Sequence, residues 1–114
     1  MRLRNGERAI VDIAKLRRYC LNTAHPEGRH KARVFREVLG MRHEDAEALR
    51  SALLNAALKQ NAVAAEADQY GERYVVDFRL RHLGRRAMVR SAWIFRKGED
   101  FPRLTSCYVL QRAG

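Results

Sequence analysis

The period of the apolar residues changes once along this chain, near Gln60, and that change dictates the fold class. Before it, apolar side chains recur every three or four positions. Ala32, Phe35 and Leu39 in RHKARVFREVLG line one side of a helix that Gly40 can end, and Leu49, Leu53 and Ala56 or Ala57 do the same in HEDAEALRSALLNAALKQ. In AIVDIAKLRRYCLN, Asp12 stands where a helix cap belongs, ahead of Ile13, Leu16 and Cys20 at helical spacing. HPEG, with Pro26 and Gly28, then predicts a tight connection that holds His25 in a turn. After Gln60 the pattern alternates. Tyr74, Val76, Phe78 and Leu80 interleave with Arg73, Val75, Asp77 and Arg79, and Ala87, Val89, Ser91, Trp93 and Phe95 interleave with Arg86, Met88, Arg90, Ala92, Ile94 and Arg96. RHLGR and KGEDFP read as turns and RLTSCYVL as a further strand, while NAVAAEAD fits either a weaker strand or more of the third helix. Helices first and hairpin-linked strands after them give an α+β fold: about three N-terminal helices packed on one face of a three- or four-stranded antiparallel sheet. A chain of 114 residues supports one core, so a single domain over residues 1–114 is expected.

The same alternation sorts charge. With the aromatic set Tyr74, Phe78, Trp93 and Phe95 turned to the helices, Arg73, Arg79, Arg86, Arg90, Arg96 and Arg103 share the opposite face, with only Asp77 to offset them. Like charges gathered on one face repel, and an anionic ligand relieves that repulsion. The whole chain points the same way: 23 Lys and Arg against 13 Asp and Glu give a net charge of +10, with two basic blocks, residues 1–42 and 73–114, around an acidic one. Nucleic acid is the expected partner, because clustered cations release condensed counterions on meeting phosphates. No apolar run approaches bilayer length, and MRLRNGERAIVDI lacks the apolar stretch and cleavage site of a signal peptide, so a cytoplasmic protein is expected.

Several chemistries lack their motifs. GxxxxGK[ST], GxGxxG and GxSxG are absent, which disfavours nucleotide-dependent enzymes and serine hydrolases. His25, His30, His43 and His82 form no HxxxH or HExxH pair, so neither a metal nor another cofactor is expected. Cys20 and Cys107 stand far apart and in no CxxC pattern, which reads as two small buried residues rather than a redox dithiol. What remains is metal-free acid–base cleavage of a phosphodiester, which needs a base, an acid and fixed cations around phosphorus. His30 suits proton transfer near neutrality, and its neighbours Arg29, Lys31 and Arg33 favour the neutral form a base requires. On the strands, Arg90, Ser91, Arg103, Thr105 and Tyr108 are candidate partners. Trp93 reads as core, and Tyr108 falls by spacing on the side of Leu104 and Leu110.

KLRRYCLNTAHPEGRHKARVF and RSAWIFRKGEDFPRLTSCYVL, with YGERYVVDF between them, resemble an uncharacterised family of small bacterial proteins that stand alone or close larger toxin-like chains. More distantly, a Lys- and His-bearing helix ahead of a sheet is similar to the barnase, EndoU, colicin and RelE superfamily of metal-independent ribonucleases, many of them toxins. That resemblance implies a site built from His30 and Lys31 on the helix and from Arg90, Ser91, Thr105 and Tyr108 on the strands. Arg29, Arg33, Arg73, Arg79, Arg86, Arg96 and Arg103 would then contact RNA. Ser91-x-Trp93 resembles a pair in tRNA-cleaving colicins, placed here on the middle strand, and no barnase-type glutamate base is evident. The implied function is an endoribonuclease toxin held by an acidic antitoxin or immunity protein. The other reading the charge allows is a nucleic-acid- or partner-binding module without catalysis.

Overall fold

The computed structural model describes residues 1–110. The helical layer comes first. Helix α1, Ile13–Lys15, starts where the Asp12 carboxylate accepts the Ala14 N–H at 2.9 Å, and it runs on into a π-helical turn, Leu16–Cys20, closed by the Leu21 N–H on the Leu16 carbonyl. In the HPEG turn, Nδ1 of His25 accepts the N–H groups of both Glu27 and Gly28, each at 3.1 Å, while its ring packs edge-on against Tyr19. Gly28 is required there by space: a Cβ would lie 2.8 Å from the Tyr19 carbonyl oxygen. The turn delivers the chain into α2, Arg29–Leu39, which Gly40 ends. A 3₁₀ turn, His43–Asp45, then leads into α3, Ala46–Lys59.

The sheet is an antiparallel meander of four strands in the order β1-β2-β3-β4: Ala62–Ala64, Gly71–His82, Arg85–Arg96 and Arg103–Val109. NAVAAEAD thus supplies a short strand and not more helix. All the helices lie on one face, as expected. Between the layers sit Leu16, Phe35, Leu39, Leu49, Leu53, Val76, Val89 and Trp93, all fully buried. Trp93 is the largest, and its Nε1–H donates to the Ser91 hydroxyl at 2.9 Å, while that hydroxyl donates to the Val76 carbonyl at 2.7 Å. The indole is therefore buried with no polar atom left unpaired.

Two expectations change. The turn after β2 is shorter than RHLGR: Arg81, His82 and Arg85 belong to the strands, and only Leu83 (φ 51°) and Gly84 (φ 75°) turn the chain. Two residues with positive φ match the right-handed twist of a tight hairpin, so pairing continues to its end. Second, Tyr108 does not share a side with Leu104. The pairing of β3 with β4 slips between Ala92 and Trp93, so that Leu104 lies opposite Trp93 but Ser106 lies opposite Ala92. Thr105 is the extra residue of a bulge, with its hydroxyl donating to the Ala92 carbonyl at 3.1 Å. Leu104 and Cys107 consequently enter the core, and Tyr108 lies on the open face opposite Arg90.

Two substitutions test these packing assignments by thermal or chemical unfolding. Leu83 is 76% exposed in a left-handed conformation that costs a leucine about 1 kcal/mol. Leu83→Asn, which restores the favoured Asn-Gly pair, is expected to raise stability by about 0.5–1 kcal/mol. Ser91→Ala strands the Trp93 N–H in the core and is expected to cost about 1–3 kcal/mol, with a change in tryptophan emission that a surface serine would not produce.

Candidate functional site

The open face of the sheet carries the expected arginines, with Arg81 added once β2 is seen to extend to His82. Their electrostatics differ from a bare cationic field. Arg90 makes a two-pronged pair with Asp77, its cross-strand partner, with Nε to Oδ1 and Nη2 to Oδ2 both at 2.9 Å. Arg103 grips Glu99 in the same way at 2.8 and 2.9 Å, and Arg73 donates to Asp68 at 2.8 Å. Asp77 is therefore not alone: two loop acids, Asp68 and Glu99, fold back over the face and neutralise arginines at its end. Arg79, Arg81, Arg86 and Arg96 are exposed and have no ion-pair partner among the described residues. Arg79, Arg81 and Arg86 gather at the hairpin end, where Arg81 lies directly opposite Arg86.

Where α2 crosses the β4 edge, Lys31 joins this face. Its Nζ lies 4.7 Å from the centre of the Tyr108 ring, a cation held over an aromatic surface. Asp77 first and Tyr108 second hold the Arg90 guanidinium above even the usual arginine range. Lys31, Tyr108, Arg90 and Asp77 thus form one continuous line across three strands and a helix. Beyond Asp77 it opens into a shallow depression of about 380 Å³ lined by Asn61, Val63, Ala64 and Val75 as well as Asp77 and Arg90. Val63 is 60% exposed, so the depression has an apolar wall beside a fixed guanidinium. The line offers two fixed cations, a phenol able to donate, and a carboxylate with lone pairs to spare. Among the described residues no three His, Cys, Asp or Glu side chains stand together as metal ligands.

Of the residues singled out in the sequence, the fold brings together Lys31, Arg90 and Tyr108. It leaves others elsewhere. His30 is exposed and lies roughly 160° round the helix from Ala32, the residue of α2 that faces the sheet. Arg29 and Arg33, also exposed, lie on the flank of α2 opposite Lys31. Ser91 is fully buried with its hydroxyl committed to Val76 and Trp93, and the Thr105 hydroxyl is committed to the bulge. Asp77 is the residue that sequence reasoning undervalued. Its signal was present: a two-residue turn at Leu83–Gly84 sets Asp77 opposite Arg90 by counting back along both strands.

The family described as a domain of unknown function, DUF6883, matches residues 2–111. This chain belongs to that family. No curated protein matches it. Among solved structures, one chain of a contact-dependent growth inhibition toxin and immunity protein complex from Klebsiella pneumoniae 342 shares the architecture, with a TM-score of 0.68 over 89% of this chain and 99% of that one, at 17% identity. The likeness is one of fold.

The acids of the open face give a pH test. Glu99 is held below the usual carboxylate range by its hydrogen bonds from Arg103, and Asp68 by the Tyr70 N–H and then by Arg73. A carboxyl depressed in the folded state stabilises the fold above its unfolded pKa, and that stabilisation is lost as pH falls through the folded value. Unfolding midpoints measured from neutrality downward are expected to fall below the ordinary carboxylate range, and Glu99→Gln is expected to flatten that fall. An unchanged pH profile in the variant would mean that the Arg103 pair does not persist in solution.

Proposed function

We propose that this protein is a metal-independent endoribonuclease of toxin type, with its catalytic centre on the line Lys31, Tyr108, Arg90 and Asp77. The observation that carries the proposal is the meeting of a helix-borne lysine with a strand-borne phenol and a carboxylate-locked arginine on a basic sheet face. The fold shared with a chain of a toxin and immunity complex supports the same reading, as does the similarity to metal-independent ribonuclease toxins. With RNA laid across the face, Lys31 and Arg90 would hold the non-bridging oxygens on which charge develops during attack of the 2′-hydroxyl. Tyr108 would donate its proton to the departing 5′-oxygen, and Asp77, which already fixes the Arg90 fork, would accept from the attacking hydroxyl. Arg79, Arg81, Arg86 and Arg96 would bind flanking phosphates, while the depression by Val63 and Val75 would take a base. An acidic antitoxin or immunity protein would cover this face in the producing cell, drawn by complementary charge, and the RNA would be met in the cytoplasm.

A non-catalytic nucleic-acid-binding module is the second reading, favoured by one observation: Asp77 already saturates the Arg90 fork. The two are separated by incubating the purified protein with total RNA in EDTA and measuring cleavage beside binding. Lys31→Ala and Tyr108→Phe are each expected to lower cleavage by about 10²-fold or more, with binding of RNA largely kept. His30→Ala is expected to stay active, since that side chain points away from the line. Binding without any cleavage by the unaltered protein would establish the module instead.

A further inference from the structure

We propose that the outer edge of β2 beyond Asp77 is a strand-addition site, and that its occupant is an acidic extended segment of a partner protein. β2 has twelve residues and β1 only three, so the rim of the sheet has a step. Pairing runs from Ala62 opposite Val76 to Ala64 opposite Tyr74, and the Ala65 N–H then donates to the Arg73 carbonyl at 2.8 Å. Arg73 therefore directs its backbone groups away from β3, and by the period of two so do Arg79 and Arg81. Among the described residues nothing bonds the N–H and C=O groups of these two arginines. Both residues are exposed. The depression lined by Asn61 and Asp77 marks the step itself, where β1 stops and β2 goes on alone. The other rims are better closed. Ala62 of β1 donates to the Met1 carbonyl. Along β4, the Leu104 N–H donates to the Ile10 carbonyl at 3.0 Å and Lys15 Nζ to the Thr105 carbonyl at 3.4 Å, while Cys107 and Val109 are buried.

The edge and the charge beside it choose the occupant. A free edge offers donors and acceptors in alternation, so phosphate oxygens, which only accept, would leave its carbonyls unmet. A peptide backbone meets both. A strand residue directly opposite Arg79 or Arg81 would exchange two hydrogen bonds with it and set its own side chain on the same open face. Arg79, Arg81 and Arg86 stand there without acids, so Asp or Glu at every second position fits. A second copy of this chain fits badly, because two such edges side by side would set Arg79 and Arg81 of one copy against those of the other. The proposal rests on the reading of an acidic protein partner, which it deepens, and not on catalysis. A strand seated here would take the arginines that flanking phosphates would use, which makes it a competitor of RNA.

The test uses the full chain, isotope-labelled and titrated at low ionic strength with an end-blocked peptide of about eight residues that alternates Glu with Thr. At saturation, exchange of the Arg79 and Arg81 amide protons is expected to slow by about tenfold or more, while the Phe78 and Leu80 amides, already directed at β3, stay as they are. N-methylation of the glutamates, whose N–H groups would face the edge, is expected to weaken binding by about tenfold or more, and N-methylation of the threonines by about twofold at most. The paired substitution Arg79→Gln with Arg81→Gln is expected to weaken binding too. Undiminished binding after methylation of the glutamates, or unprotected Arg79 and Arg81 amides in the bound state, would overturn strand addition. So would a failure of the alternating peptide to bind. An oligoglutamate of the same length, too self-repelling to form a strand, reports separately whether the open face attracts an acidic chain, so the partner reading can stand where strand addition falls.

Discussion

The hydrogen bond from the Trp93 indole to Ser91, and from Ser91 on to the Val76 carbonyl, fixes the phase of the central strand. A tryptophan can be buried completely only if its N–H finds a partner, and here the partner is two residues back on the same strand and the same face. With that face committed to the helices, the intervening side chains, Arg86, Met88, Arg90, Ala92, Ile94 and Arg96, have no choice but the opposite face. A slip of one residue would drive Arg90 into the core and Trp93 into water, so the register is as strongly specified as the core itself. The position of every candidate functional group on β3 follows from where Trp93 is buried.

Charge on the open face is arranged in two zones. At one end, Asp68 and Glu99 return from loops to pair with Arg73 and Arg103. At the hairpin end, Arg79, Arg81 and Arg86 stand without acids, and Arg81 faces Arg86 directly. Exposed ion pairs contribute little to stability, so the paired zone is better understood as masking: Arg96 alone stays unpaired there among these arginines, and the larger uncompensated cluster is left at the hairpin end. Arg90 sits between the zones, charged and held immobile by Asp77. A preoriented guanidinium needs little reorganisation when it meets an anion, which is the property a phosphate site requires.

Much of this architecture was legible in the chain. The change of period near Gln60 gave the helices, the strands and the layer arrangement, because amphipathic periodicity is a direct record of which side is buried. The arginine face followed from alternation alone. The same rule misplaced Tyr108, since alternation counts residues and a bulge adds one that the count cannot see. Ser91 read as a candidate strand partner for a related reason: alternation puts it on the core face beside Trp93, and only the position of the indole nitrogen shows that its hydroxyl is committed there. Lys31 and His30 were indistinguishable as neighbours in sequence, but one residue is roughly 100° on a helix, enough to send one over the β4 edge and the other to solvent. Cys20 and Cys107 read as small buried residues from their isolation in the sequence, and both lie in the core.

The bulge at Thr105 decides which side chains of β4 reach the open face and which enter the core. Were the pairing of Leu104 with Trp93 continued without a slip, Tyr108 would fall opposite Val89 on the core face and Cys107 opposite Arg90 on the open one. The phenol would be buried away from Lys31, and the thiol would leave the core. One extra residue therefore places a phenol among cations and a thiol in the core. Bulges bend a strand and increase its twist, and at a sheet edge they also discourage further strand addition. Here the Thr105 hydroxyl bonds the Ala92 carbonyl opposite it, where the ladder is interrupted. The irregularity is thus stabilised by its own side chain, and the side-chain phase of β4 beyond it rests on that contact.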